Sequence, residues 1–203
     1  VSREATERAQ RRPPSTLAPT RPLMRTLTLD YLAGITFLAC WGGVPLLVVT
    51  KLGETPAAHF NVAFAIGTAL AAASVAMGTS LTVETSRDPS RLTELAGQSL
   101  RRIVILLVPI GVAVAIGAEL VLRPFGSDYA AGASHALRLL ALAAIPSAFT
   151  NIAHAVARVR GNAGLILAHR VLSAGLVLGG AWIATRTGSL TNVAWAWMLA
   201  ELL

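Results

Sequence analysis

Charged residues are scarce in this sequence of 203 amino acids. They make up 13% of the chain, about half the share found in a typical soluble domain. Hydrophobic residues make up 54%, and the mean hydropathy is +0.63. Because a surface that faces water needs more charge than this, something other than water must cover most of the protein. The composition therefore excludes an ordinary soluble domain.

Cysteine and histidine are also few. The single Cys40 excludes an intramolecular disulfide, and the four histidines lack the spacing of a metal site. No stretch resembles a nucleotide-binding loop. We therefore expect neither a cofactor nor a metal. Any energy that the protein uses must come from ion gradients, from substrate gradients or from later steps that consume its product.

Long hydrophobic runs dominate what is present. A bilayer core requires about 20 apolar residues per helix, and none of the runs alternates as a strand would. Many glycines and alanines allow close helix packing in lipid. We predict an all-α, polytopic membrane helical bundle with about six transmembrane helices, at roughly 31–50, 59–83, 103–122, 136–157, 163–184 and 190–203.

The last run, residues 190–203, is too short to cross a bilayer. We interpret it as a truncated helix; the alternative is a short re-entrant or interfacial tail. Since the chain also begins with Val1 in polar sequence, we expect it to be part of a larger protein.

The basic residues are distributed unevenly between the two ends of the predicted bundle. Twelve arginines fall in the tail before the first run and in the loops after the second and fourth runs, against three basic residues in the other loops. The positive-inside rule then places the N-terminal tail of this multi-pass membrane protein in the cytoplasm. We interpret residues 1–28 as a flexible basic linker that touches anionic lipids, and residues 29–203 as the transmembrane lobe. This asymmetry explains the net charge of +7 without nucleic acid.

Two loops have local signals. Asp88 followed by Pro89 predicts a helix start, and the leucines after it predict a short amphipathic helix at the membrane surface that leads into the third span. The alternative is an ordinary polar loop. Arg123-Pro124 and Gly126 predict an external helical hairpin. Prolines inside three spans predict kinks at Pro45, Pro109 and Pro146.

The hairpin region resembles a known family. The stretch "LLVPIGVAVAIGAELVLRPFGSDYAAGASHALRLLALAAIPSAF" looks like the C-terminal half of polysaccharide flippases of the lipopolysaccharide O-antigen type, within the multidrug/oligosaccharidyl-lipid/polysaccharide exporter superfamily. The matching residues are Pro109, Phe125, Gly126, Tyr129, Leu137, Arg138 and Leu140. Upstream, Ser80, Leu81 and Glu84 resemble the end of the family's eighth helix, and "AWAWMLAELL" resembles the start of its twelfth.

The resemblance implies a two-lobe transporter with a central cavity that opens alternately to either side. The chain would be the second lobe, and its partners would be membrane lipids and the missing N-terminal lobe. The implied cargo is a polyprenyl-pyrophosphate-linked oligosaccharide, flipped from the cytoplasmic to the external leaflet. The protein would then be a transporter and not an enzyme.

Four residues are candidates for the cavity. A charge inside a span is costly and indicates function, and arginine suits phosphate oxygens, so we expect Arg170 and Arg138 to contact an anionic cargo. The alternatives are that Arg170 reaches the headgroups and that Arg138 anchors the outer surface. Asn151 and His154 share one helical face, where they either line the cavity or hydrogen-bond between helices.

Two other functions stay open. A cation-coupled drug or metabolite exporter of the same superfamily would share the fold, but such exporters rely on an acidic residue deep in a span, and none of the six runs has one at its middle. A membrane glycan polymerase or ligase is expected to carry a large external loop with catalytic carboxylates or histidines, whereas every external loop here is short.

Overall fold

A computed structural model describes residues 20–202 of the protein, with the backbone alone at residues 20–23, 86, 87 and 89. Residues 1–19, most of the predicted linker, lie outside the described residues. All regular structure in the described part is helical. The helices are α1 (Thr20–Leu52), α2 (Glu54–Arg87), α3 (Leu92–Ile116), α4 (Ala118–Leu122), α5 (Ser127–Val159), α6 (Ala163–Thr185) and α7 (Leu190–Glu201), with single 3-10 turns at Pro89–Arg91 and Arg123–Phe125.

Five of these helices, α1, α2, α3, α5 and α6, are long and apolar enough to cross a membrane. The predicted all-α, polytopic membrane bundle is therefore confirmed. Several helix boundaries differ from the sequence prediction: α2 is longer than 59–83, the predicted span 103–122 is divided between α3 and α4, and α1 and α5 begin about ten residues earlier than expected. Helix α1 begins at Thr20, inside the predicted linker, because Pro22 lies in the first helical turn, where its missing N–H needs no partner. Helix α5 begins at Ser127, since Gly126 with φ 128° turns the chain immediately before it.

The predicted helix start at Asp88 is confirmed. The Asp88 carboxylate accepts a hydrogen bond from the backbone N–H of Ser90 at 3.1 Å, as a capping residue does. Leu92 and Leu95 are buried, and α3 continues without interruption to Ile116. The amphipathic turn is thus the first part of the third span and not a separate helix.

Helix α5 lies at the centre of the bundle and packs most extensively against α2. The two run parallel, and glycine permits their close approach: a Cβ atom on Gly67 would lie 2.8 Å from Cβ of Leu140, and one on Gly78 would lie 3.4 Å from the carbonyl oxygen of Asn151. Small residues at a helix interface are typical of membrane bundles. This contact fixes one wall of the cavity described below.

Helices α1, α6 and α7 form the other side of the bundle, with α1 packed along α6 and α7 packed between α5 and α6. Ala33, Ala157 and Ile166 form a buried cluster that joins the beginning of α1, the end of α5 and the beginning of α6. We call this the arginine-rich end of the bundle, because the basic residues of the sequence gather there. Pro45, Pro109 and Pro146 lie inside α1, α3 and α5.

A candidate cargo cavity and an adjoining polar cavity

A cavity of about 910 Å³ opens between α1, α2, α5 and α7. Its wall is mostly apolar, with small residues of α2 and α5 next to aromatic side chains. Six polar residues line it: Asn61, Thr68, Ser147, Asn151, Arg170 and Glu201. We call this space the large cavity. Its size and its few polar groups are typical of a site that binds a small molecule or part of a lipid.

Aromatic rings form a continuous patch on the wall of the large cavity. The ring centroid of Phe64 lies 6.1 Å from that of Trp41 and 4.9 Å from that of Trp197. Trp41 is 44% exposed, so part of its indole faces the open space. These rings offer flat apolar faces to a bound molecule.

Arg170 lies on α6 at the edge of the large cavity. Its guanidinium sits over the ring of Phe37, 4.4 Å from the centroid, which is a cation–π contact. The Glu201 carboxylate also lines the large cavity and acts on the charge of Arg170 over a longer distance, without an ion pair between them in the described part of the chain. At a rise of 1.5 Å per residue, Arg170 lies about 10 Å along α6 from Ala163. The cation is thus placed inside the bundle, where a charge is expensive unless it serves a purpose.

Glu201 is a functional candidate that the sequence reasoning missed. It is the last of the 12 residues of α7, about 17 Å along the helix axis from Leu190, and it lines the large cavity. Glu201 lies near the end of the run 190–203, so the expectation that no run has an acidic residue at its middle stays a prediction. The signal was available, since Glu201 is the one acidic residue of the apolar run 190–203, but its placement near Arg170 on α6 was visible only in the fold.

A second cavity, of about 290 Å³, adjoins the large one on the side of the arginine-rich end. We call it the small cavity. The two share four lining residues, including Asn151 and Arg170. Asp30 and Arg158 also line the small cavity, and both Nε and Nη2 of Arg158 donate to Oδ1 of Asp30, at 3.1 and 3.0 Å. This ion pair joins the beginning of α1 to the end of α5.

His154 lines the small cavity and is 7% exposed. Its Nε2 lies 3.2 Å from Nδ1 of His169 on α6, so the two imidazoles share one hydrogen bond. Nδ1 of His154 is buried and has no hydrogen-bond partner among the described residues. Buried polar nitrogens without a partner are rare in proteins.

Asn151 fulfils both of the roles considered for it. Its side chain lines both cavities, and its Nδ2 donates to Oγ of Ser74 on α2 at 2.9 Å. Ser74 is itself buried. The hydrogen bond therefore holds α2 against α5 at the point where the two cavities meet.

Arg138 does not join the other three candidates. Its Nη2 donates to Oε1 of Glu119 at 2.9 Å, and it lines neither cavity. Both side chains of this pair are more than one-third exposed. Arg138 lies on the side of α5 that packs towards α4, so the structure brings together Arg170, Asn151 and His154 and leaves Arg138 apart. Among residues 20–202, no group of three or more His, Cys, Asp or Glu side chains could hold a metal ion.

The fold can be compared with known proteins. No family model and no curated protein matches the sequence. Two solved structures match its fold. One is a transporter of the MOP superfamily from Pyrococcus furiosus, described as having a binding pocket of reverse polarity, with a TM-score of 0.72, 22% identity and 87% of this chain covered. The other is a multidrug resistance MATE family transporter of the same superfamily in an outward-facing conformation, with a TM-score of 0.73, 22% identity and 89% covered.

The chain has the fold of part of a MOP superfamily transporter. MOP denotes the multidrug/oligosaccharidyl-lipid/polysaccharide exporters that the sequence resembles. The chain spans about two-fifths of the length of these structures, 41% of one and 43% of the other. At this level of identity the comparison concerns the fold, and the cargo has to be argued from the cavities.

Proposed function

We propose that the chain is one lobe of a two-lobe, alternating-access membrane transporter. Its cargo is a polyprenyl-pyrophosphate-linked oligosaccharide, which it flips from the cytoplasmic to the external leaflet for cell-surface polysaccharide biosynthesis. The observation that supports this most directly is the combination of a mostly apolar cavity of about 910 Å³ with one half-buried guanidinium, that of Arg170, at its edge.

Each part of this cargo matches a part of the large cavity. The polyprenyl chain is apolar, as is most of the wall. The pyrophosphate needs a cation, and the fork of Arg170 can donate two parallel hydrogen bonds to phosphate oxygens. Sugar rings stack on aromatic faces, and Trp41 and Trp197 offer such faces. The small side chains of α2 leave room for the cargo beside these groups.

A second lobe would complete the cavity wall. The large cavity is bounded by α1, α2, α5 and α7 and is open on the remaining side. Since the matched transporters are more than twice as long as the part that this chain covers, we propose that the facing wall is supplied by an N-terminal lobe, and that residues 1–28 include the linker to it.

Glu201 favours a second candidate function. A carboxylate in the cavity wall beside Arg170 suits a cation-coupled exporter of drugs or metabolites, in which the acidic residue binds the coupling ion or a cationic cargo. The solved structures are compatible with this function too, since one is a multidrug resistance transporter. A glycan polymerase or ligase has no comparable support, because the connections at the end of the bundle opposite the arginine-rich end are short.

Proteoliposomes that contain the complete transporter distinguish the two candidates. One set receives a fluorescent polyprenyl-pyrophosphate-linked oligosaccharide, and leaflet exchange is followed by quenching of the outer label. The other set receives a cationic dye and an ion gradient. We expect exchange of the lipid-linked oligosaccharide, and a loss of at least tenfold in Arg170→Ala because the pyrophosphate loses its fork. Arg170→Lys should recover only part of the rate, since a point charge does not replace two parallel hydrogen bonds.

Arg138→Ala is the matched control, because it removes the same type of residue outside both cavities, and we expect it to leave exchange near the wild-type rate. Transport of the dye that requires Glu201, without exchange of the lipid-linked oligosaccharide, would establish the exporter instead. Full recovery by Arg170→Lys would show that residue 170 only reaches the lipid headgroups.

A further inference from the structure

The small cavity differs in chemistry from the large one. Much of its lining is polar or charged, with Asp30, Thr79, Asn151, His154, Arg158 and Arg170 around a space of about 290 Å³. A cavity of this size holds several water molecules. It is too small for a polyprenyl chain, and its charged lining suits a small polar ligand.

His154 lines the small cavity, and its hydrogen-bond partner His169 lies behind it, outside the lining. In the tautomer in which Nε2 of His154 donates to Nδ1 of His169, the other nitrogen of His154 is a bare acceptor. That atom, Nδ1, is buried and has no hydrogen-bond partner in the part of the chain that the structure describes. A proton that binds there converts His154 into an imidazolium, whose Nε2–H continues to donate to His169. The bridging proton can then move across the 3.2 Å between the rings, so that both share the charge.

Charged groups near the pair lie on α1, α5, α6 and α7. Asp30 faces it from α1, Arg158 from α5 itself, Arg170 from α6 and Glu201, through Arg170, from α7. Helix α2 contributes Val75, Gly78 and Thr79, which carry no charge. Arg158 is balanced by its ion pair with Asp30, whereas Arg170 has no ion-pair partner among the described residues. A proton on the histidine pair would therefore add a second positive charge near Arg170, and an anion in the large cavity would offset both charges.

We propose that the small cavity is a proton-binding site, in which the His154–His169 pair takes up a proton from water at the arginine-rich end and thereby increases the affinity of the large cavity for an anionic headgroup. The second half of this statement rests on the proposed function. Arg170 borders both cavities, so a charge on the pair acts on the same space that would hold the pyrophosphate. Binding of proton and anion is then mutually favourable, because each neutralises the other and such coupling is reciprocal.

The proton site itself is tested without any cargo. Exchange of the imidazole C2 hydrogen for deuterium, followed by mass spectrometry, reports both water access and protonation of each histidine. In the purified protein in lipid nanodiscs, we expect the exchange of His154 and His169 to follow a sigmoidal pH dependence, since the pair gains a charge when it binds a proton. His135, which is exposed at the other end of the bundle, provides the reference. Absence of exchange at both residues of the pair while His135 exchanges would overturn the proposal, whatever the protein transports.

The coupling is tested by equilibrium binding of farnesyl pyrophosphate, with farnesol as the uncharged control. We expect binding of the pyrophosphate to tighten at least fivefold as the pH falls from 8 to 6 in the wild type. This pH dependence should be lost in His154→Gln and His169→Gln and kept in His135→Gln. The same pH dependence in all four proteins would disprove the coupling, because the pyrophosphate would then be the group that titrates. Histidine exchange without any binding of farnesyl pyrophosphate would leave the proton site standing and reject the proposed cargo.

Discussion

Gly67 offers a direct test of the helix packing that forms the cavity wall. It lies on α2 and faces α5, and a Cβ atom at this position would lie 2.8 Å from Cβ of Leu140 and 3.4 Å from its backbone carbonyl group. None of these atoms can rotate away. Since apolar atoms pack at about 3.5–4.0 Å, Gly67→Ala requires α2 and α5 to separate by about 1 Å.

Two effects of this substitution oppose each other. Alanine is favoured over glycine in a helix interior by about 1 kcal/mol, whereas overpacking at a tight interface costs about 1–3 kcal/mol. Gly175 on α6 provides the matched control, because a Cβ atom there would meet nothing within 4 Å. Gly175→Ala gains the same helix preference without the clash. The preference therefore cancels when the two variants are compared, and we expect Gly67→Ala to be about 1–3 kcal/mol less stable than Gly175→Ala.

The free energy of unfolding can be measured by reversible titration of the protein in mixed micelles with sodium dodecyl sulfate. Gly67→Val extends the series, because its larger side chain should cost more than alanine at the same place. Equal stability of Gly67→Ala and Gly175→Ala would refute the close parallel packing of α2 and α5, and with it the position of the cavity wall.

Three further predictions concern charge and orientation. In a double-mutant cycle of Arg170→Gln and Glu201→Gln, the double variant should lose less unfolding free energy than the sum of the two single variants, because the two charges act on each other inside the cavity; additive losses would mean that the two groups do not interact. The Ser90 hydroxyl holds the pKa of the Asp88 carboxyl below its usual value of about 4. The stability that the ionised carboxylate gives to the helix start is therefore fully present above pH 4 and is lost as the pH falls through the lowered pKa. Amide hydrogen exchange at residues 90–92 should accelerate in that pH range in the wild type but not in Asp88→Asn. The same pH dependence of exchange in both proteins would contradict this prediction. In a Cys40→Ala background, single cysteines should react from outside at 127 and 189 and from inside at 90 and 162; outside labelling at 90 would reverse the proposed orientation.

Local physics made much of the fold predictable. In lipid, the backbone N–H and C=O groups of a long apolar run can hydrogen-bond only to each other, so helices of membrane-spanning length follow from the sequence. The helix start at Asp88 also follows, because its carboxylate and the neighbouring proline act within one turn. The beginnings of α1 and α5 were less predictable. Hydropathy detects where the apolar sequence begins, but α1 and α5 both begin before that point. Helix α1 begins at Thr20, close to Pro22, and α5 begins directly after Gly126.

The candidate site was predictable only in part. Arg170, Asn151 and His154 stand out in the sequence, since polar residues are rare inside apolar runs. Arg138 stands out for the same reason, yet its partner Glu119 lies 19 positions away in the sequence, and which face of α5 it occupies depends on how the hairpin folds back. Such a pairing is not encoded in any local pattern.

The sequence by itself determined that this protein lies in a membrane, that it is helical, roughly where its spans lie and which few polar residues they contain. Each of these properties depends on composition over one or two helices. Only the tertiary structure decided which of those residues meet. The placement of Glu201 beside Arg170, the hydrogen bond between Asn151 and Ser74, and the contact between His154 and His169 all join different helices. Their geometry depends on the register at which glycine-lined helix faces come into contact, and that register results from the packing of the whole bundle.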